Sequence, residues 1–200
     1  MQATTQTAPT GVDIERRELR ASELRTNRAG EIRGYASIFY DGTAATEFKL
    51  GDWGIERIER GAFNGVLADD VRALFNHDEN LILGRTTAQT LKLGVDQRGL
   101  WFRIEPGESQ AHRDVAASIK RGDVSAASFG FTIADDGDKI DRDSTGRTVR
   151  TIRKIGTLFD VGPVVFPAYR NTQVELNSER GKAEKLRTTL LRRQILSIPL

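Results

Sequence analysis

From Leu91 to Ile133 the apolar residues change their period twice, and this stretch limits the possible folds more than any other. The run "TLKLGVDQRGLWFRIE" alternates on both sides of "DQRG". Leu91, Leu93 and Val95 answer Leu100, Phe102 and Ile104, which predicts a β-hairpin. "SQAHRDVAASIKRG" then takes up helical spacing. Ser109 can cap it, Gly122 can stop it, and Val115, Ala116 and Ile119 form its apolar side. "SAASFGFTI" (Ser125 to Ile133) returns at once to alternation and reads as a strand.

The rest of the chain supplies more short strands and little helix. "GYASIFY" (Gly34 to Tyr40) suits a buried strand. "VRALFNH" alternates with Val71, Ala73, Phe75 and His77 on one face, and "TVRTIRKI" and "LFDVGPVVF" add two more strands. Phe63, Val66 and Leu67 in "IERGAFNGVL" predict a short helix, and the acidic "DDGDKIDRDSTG" (Asp135 to Gly146) a turn-rich loop. Many short strands around one strong helix predict a β-rich α+β domain, mostly antiparallel, closed or partly closed into a β-barrel. A parallel βαβ architecture would need more helices than the chain offers.

Composition narrows the chemistry. The 200 residues include 30 basic and 28 acidic side chains, a net charge of +2, and no cysteine. That balance, with no basic cluster interleaved with aromatics, argues against nucleic acid as a partner. Absence of cysteine excludes disulfides, thiol catalysis and thiolate metal sites. No apolar run is long enough for a membrane helix. Two histidines without ligand spacing, an acidic loop lacking the regular positions of a calcium site, and no glycine-rich phosphate loop predict no metal and no cofactor.

Four polar residues stand out from apolar surroundings. Ser128 shares a strand face with Ala126, Gly130 and Thr132, opposite the bulky face of Phe129, Phe131 and Ile133. The small face leaves room for a substrate to approach a hydroxyl; the plain alternative is a packed or solvated serine. A serine needs an adjacent imidazole to become a nucleophile, and only His77 and His112 can supply one. His77 ends the Val71–Ala73–Phe75 face. His112 leans toward the apolar side of its helix, which favours a packing role over a third catalytic one. Asp160 lies within the apolar "LFDVGPVVF", where a carboxylate must be exposed or paired. Asp78 is a rival acid, but as the neighbour of His77 in a strand it would point to the opposite face.

In order, "GYASIFY", "GAF" (Gly61 to Phe63), "FNHD", a hairpin, a helix, "SFGF" and "DVGPVVFPAY" resemble the tailed-phage prohead proteases, capsid maturation serine proteases thought to be distantly related to the herpesvirus assemblins. The likeness runs over about residues 15–170. It implies a barrel-like protease domain with a few surrounding helices and catalysis by Ser128 as nucleophile, His77 as general base and Asp160 as the acid that orients the imidazole. Capsid protein or scaffold would be the substrate, inside the immature shell in the bacterial host cytoplasm, with a homo-oligomer within the prohead as a further expectation. The chain departs from the usual pattern at Ala127, where a bulky residue is common, and at Asp160, where glutamate is frequent. Gly162 and Pro163 also replace a serine and an apolar residue; Pro163, lacking an N–H, suggests a bulge or edge. Residues near Gly130, and Arg142 or Arg147, are candidate oxyanion donors.

The expected organisation is a disordered leader at 1–12, a protease domain at 13–170 and a polar, basic tail at 171–200. The tail has a helical pattern near Arg180 to Ile195 and is either removed by the protease itself or a disordered end. Two other functions fit the same residues: a non-enzymatic capsid or scaffold component on this fold, and a stand-alone hydrolase of small esters.

Overall fold

The structure, a computed structural model, describes residues 14–20, 22–50 and 54–166. The expected leader, and the basic tail with the helix expected there, lie outside them. The described residues include thirteen strands, one α-helix and one short 3-10 helix (Ala44–Thr46). The first sheet contains β1 (Glu15–Leu19), β6 (Arg72–Leu74), β7 (Ile82–Arg85), β10 (Ala126–Ile133) and β13 (Ile155–Val164), in the order β1-β10-β13-β6-β7. The second is β2 (Arg25–Thr26), β3 (Ile32–Ile38), β9 (Gly99–Ile104) and β8 (Leu91–Val95), in that order. The third runs β11 (Asp138–Arg142), β12 (Thr148–Ile152), β5 (Ile55–Ile58) and β4 (Phe48–Lys49).

The β-rich α+β class holds, but the sheets are not closed into the barrel, closed or partly closed, that was expected. Each of the three orders has two free ends, so the described strands form open sheets. Closure depends on strand tilt and stagger, which a list of short strands does not specify. Among the described residues the surrounding helices reduce to α1 (Gln110–Arg121) and that short 3-10 helix. Pairing is mostly antiparallel, with β6–β13 and β5–β12 parallel.

Local chemistry accounts for the elements that were foreseen. The β8–β9 register sets Leu91 opposite Ile104, Leu93 opposite Phe102 and Val95 opposite Leu100. In α1 the Ser109 hydroxyl oxygen accepts the His112 N–H, and Gly122 ends the helix at φ +87° in the left-handed region that glycine adopts freely. His112, Val115, Ala116 and Ile119 are the residues it buries.

Two expectations fail for identifiable reasons. Residues 60–68 form successive turns instead of a short helix. Gly61 and Gly65 have φ of +91° and +95°, and each break resets the backbone before a second helical turn can close. The acidic loop contains β11, which pairs with β12 from Asp138–Ile152 to Arg142–Thr148. Ile140 is the one apolar residue of that strand, so no alternation betrays it.

All three sheets contribute to one core. Phe102, Leu100 and Ile32 from the second meet Phe129, Phe131 and Val161 from the first and Ile58 and Ile152 from the third. An aromatic chain runs through it, Phe39 to Phe63 to Phe129 to Phe131, with ring centroids 6.1, 5.6 and 4.7 Å apart. The bulky face of β10 is thus fixed inward, and its small face lies on the opposite side of the sheet.

Candidate active site

Ser128 and Asp160 reach the same place because β10 and β13 are neighbours. Ser128 pairs with Gly162 and Gly130 with Asp160, so all four share one face of the sheet. Register then slips: Phe131 pairs with Leu158, leaving Phe159 as a bulge immediately before Asp160. A bulge bends its strand and re-aims the next side chain. Of the bulge or edge expected at Pro163, the bulge lies instead at Phe159, and Pro163 takes an edge position. Pro163 pairs with Ala127 and sits beyond the last β6–β13 pair, Ala73–Val161, where its missing N–H leaves that ladder intact.

His77 arrives by a different route from the one its sequence suggests. β6 ends at Leu74, and Asn76 and His77 both adopt left-handed backbone, with φ of +55° and +58°. The alternation of "VRALFNH" continues past the point where the chain turns, which is why it reads as one strand. The Asn76 N–H donates to the Pro163 carbonyl (3.0 Å), and the Asn76 Oδ1 accepts the Val165 N–H (2.9 Å). Asp78, the rival acid, is engaged locally, its Oδ1 accepting from the backbone and side chain of Asn80.

The three side chains converge. His77 Nδ1 is 2.5 Å from Asp160 Oδ1, and His77 Nε2 is 2.7 Å from Ser128 Oγ. A carboxylate can only accept, so Nδ1 carries the hydrogen and a neutral ring offers Nε2 as the acceptor for the hydroxyl. Ser128 Oγ has a second acceptor, the Arg17 carbonyl at 3.0 Å. One hydroxyl hydrogen cannot serve both fully, so imidazole and carbonyl compete for it. Ser128 has no exposed surface, and the His77 and Asp160 side chains are only 12% and 7% exposed. His112 is elsewhere, buried on α1 with its Nε2 2.7 Å from the Gly30 carbonyl.

The small face of β10 is not vacant at Gly130. A Cβ built there would lie 2.4 Å from Asp160 Oδ2, so the carboxylate already fills that space. Arg142 donates to the Gly146 carbonyl, and Arg147 is held by Asp143 and Glu47. The first bond lies within the β11–β12 hairpin and the second set joins that hairpin to Glu47 ahead of β4; no hydrogen bond links either arginine to Ser128.

The strand that brings the Arg17 carbonyl to Ser128 is held by a buried ion cluster. Arg17 binds Glu56 through two bonds of 2.5 and 2.7 Å. Arg150 joins Glu56 at 3.0 Å, Glu15 at 2.6 Å and Asp138 at 2.8 Å. Glu56 is fully buried and Arg150 nearly so. Burial pushes the Glu15 carboxyl up, but hydrogen bonding from Arg150 and the charges of Arg17 and Arg150 outweigh it and hold it at about 2. Burial likewise pushes Arg150 down, and its bonding to Glu15 with the charges of Glu56, Glu15 and Asp138 lifts it above its ordinary value. The cluster ties β1 in the first sheet to β5, β11 and β12 in the third. None of this was visible in "ERREL", which has no apolar alternation to mark it as a strand.

One protein-family model, that of the caudovirus prohead serine protease, matches residues 15–187. No curated protein and no solved structure matches the chain.

Proposed function

The chain belongs to the caudovirus prohead serine protease family, and from that footing we propose that it is an endopeptidase whose working groups are Ser128, His77 and Asp160. The family is one of serine peptidases of phage capsid maturation, phage-encoded and acting inside the prohead. The observation that carries the residue assignment is the imidazole of His77 spanning Ser128 and Asp160 at 2.7 and 2.5 Å.

This geometry supports acyl transfer through the three groups. Ser128 Oγ attacks a peptide carbonyl carbon as its hydrogen passes to His77 Nε2. The imidazolium is steadied by the Asp160 carboxylate at Nδ1. When the C–N bond breaks, the Nε2 proton goes to the leaving amine and an acyl-enzyme remains. Water then attacks the ester, giving its proton to Nε2, and Oγ takes that proton back as the acid product leaves. The substrate is capsid protein or scaffold.

Because Ser128 has no exposed surface, a substrate reaches it only after neighbouring groups move aside. The same burial favours the rival reading, a capsid component without activity. The test pairs two measurements on the full chain in a cleavage-competent mixture with capsid and scaffold protein. Wild type is expected to cleave and to take up a fluorophosphonate at Ser128, and Ser128→Ala to do neither. Cleavage by Ser128→Ala at the wild-type rate sinks the assignment, and absence of both label and cleavage in wild type supports the inactive component.

A further inference from the structure

We propose that Asn76 is a positioning residue of this site, holding the His77 turn to the strand that carries Asp160. The inference rests on the peptidase reading and adds to it a side chain outside the Ser128–His77–Asp160 set. No hydrogen bond joins Asn76 to Ser128 or Asp160; it acts through the backbone on both sides of the His77–Asp160 bond.

Three observations converge on it. First, Asn76 and His77 are consecutive residues at φ +55° and +58°. Most side chains resist that region, and asparagine is among the few that tolerate it. Second, β6 pairs with β13 only at Arg72–Asp160 and Ala73–Val161, and Leu74 is the last residue of the strand. Beyond it the chain is fastened by Asn76, whose N–H donates to Pro163 and whose Oδ1 accepts from Val165. Third, the β6–β13 contact tolerates no slack beside it. A Cβ at Gly162 would come within 2.0 Å of the Leu74 carbonyl oxygen, so the two backbones are already as close as glycine permits.

The consequence is geometric. Pro163 lies on β13 three residues after Asp160, Val165 is the first residue past the strand's end, and His77 follows Asn76 directly. With those two bonds made, the imidazole and the carboxylate are mounted on a single clamped unit. Without the side-chain bond, the turn keeps one anchor, and the ring can drift from the line joining Ser128 to Asp160. A displacement of about 1 Å at a reacting group can lower rates roughly a hundredfold.

Three variants separate positioning from mere stability. Asn76→Asp keeps an oxygen acceptor and the tolerance for left-handed backbone. Asn76→Gly keeps the backbone freedom and loses the acceptor, and Asn76→Ala loses both. In the full-length protein, the rate of fluorophosphonate uptake per folded molecule is expected to fall roughly tenfold to a hundredfold in Asn76→Gly and Asn76→Ala. Asn76→Asp should restore most of it. The low-field proton resonance of the His77–Asp160 hydrogen bond should weaken or shift in the same two variants, a readout independent of turnover. Unchanged uptake and an unchanged resonance in Asn76→Gly would overturn the role. So would a loss explained wholly by the unfolded fraction. Ser128→Ala cleaving like wild type would remove the peptidase reading itself, a distinguishable failure.

Discussion

The Asp160 carboxylate occupies the space a side chain at Gly130 would need: a Cβ there would lie 2.4 Å from Oδ2. The two residues are directly paired across β10 and β13, on the face that carries Ser128. Glycine is required at this position to make room for the neighbour's carboxylate. Its backbone is not among those at positive φ, so conformational freedom is not the reason.

Gly130→Ala should therefore push the carboxylate off His77 while leaving the fold in place. We expect cleavage to fall roughly a hundredfold, against a stability loss of about 1–3 kcal/mol from overpacking. Asp160→Asn should slow cleavage severely, by about 10⁴-fold if the acid holds the ring's tautomer as in other triads. The double variant is the sharper measurement. Because both changes act on one bond, Gly130→Ala in the Asp160→Asn background should cost almost nothing more; full additivity in kcat would mean that Gly130 matters for another reason.

His112→Ala should behave in the opposite way. The ring is buried and its Nε2–H donates to the Gly30 carbonyl, with no link to Ser128. Its loss takes this donor from the carbonyl of half-buried Gly30, costing on the order of 1 kcal/mol, while the folded enzyme cleaves as before. Denaturant unfolding beside kcat per folded molecule checks this, and a large fall in kcat would reopen the question of which histidine is the base.

Sequence legibility followed the range of the interactions. The β8–β9 hairpin and α1 could be read because their signals are local: alternation across a tight turn, a serine cap, a glycine stop. The three polar residues could be singled out because each interrupts an apolar run. The path of the chain at His77 could not, since "VRALFNH" keeps its alternation while Asn76 and His77 leave the strand for left-handed backbone. β1 was invisible for another reason. Arg17 is satisfied by Glu56, 39 residues away, and Glu15 by Arg150, 135 residues away. Charged residues buried by distant partners look like solvent-facing ones until the partners are known. Barrel closure was likewise undetermined, because β1 and β7 become edges through the order of strands and not their composition.

The ion cluster makes acid stability a test of how β1 is held. Glu15 is 20% exposed, and its carboxyl is lowered from 4.5 to about 2 in the folded chain. A depressed carboxylate contributes stability that is fully present above its unfolded value, near 4.5, and is lost as pH falls through its folded value near 2. The shift corresponds to stabilisation on the order of 3 kcal/mol. Glu15→Gln removes the titrating group and weakens its pairing with Arg150 and Arg17. The variant should be less stable than wild type at neutral pH, and the gap should close between pH 4.5 and 2. Other depressed carboxylates, such as Asp70, titrate in both proteins and cancel in the difference. Urea unfolding of both proteins across that window measures it. A gap that stays constant with pH would mean that Glu15 supports β1 by packing alone, and that its charge does not hold the Arg17 carbonyl beside Ser128.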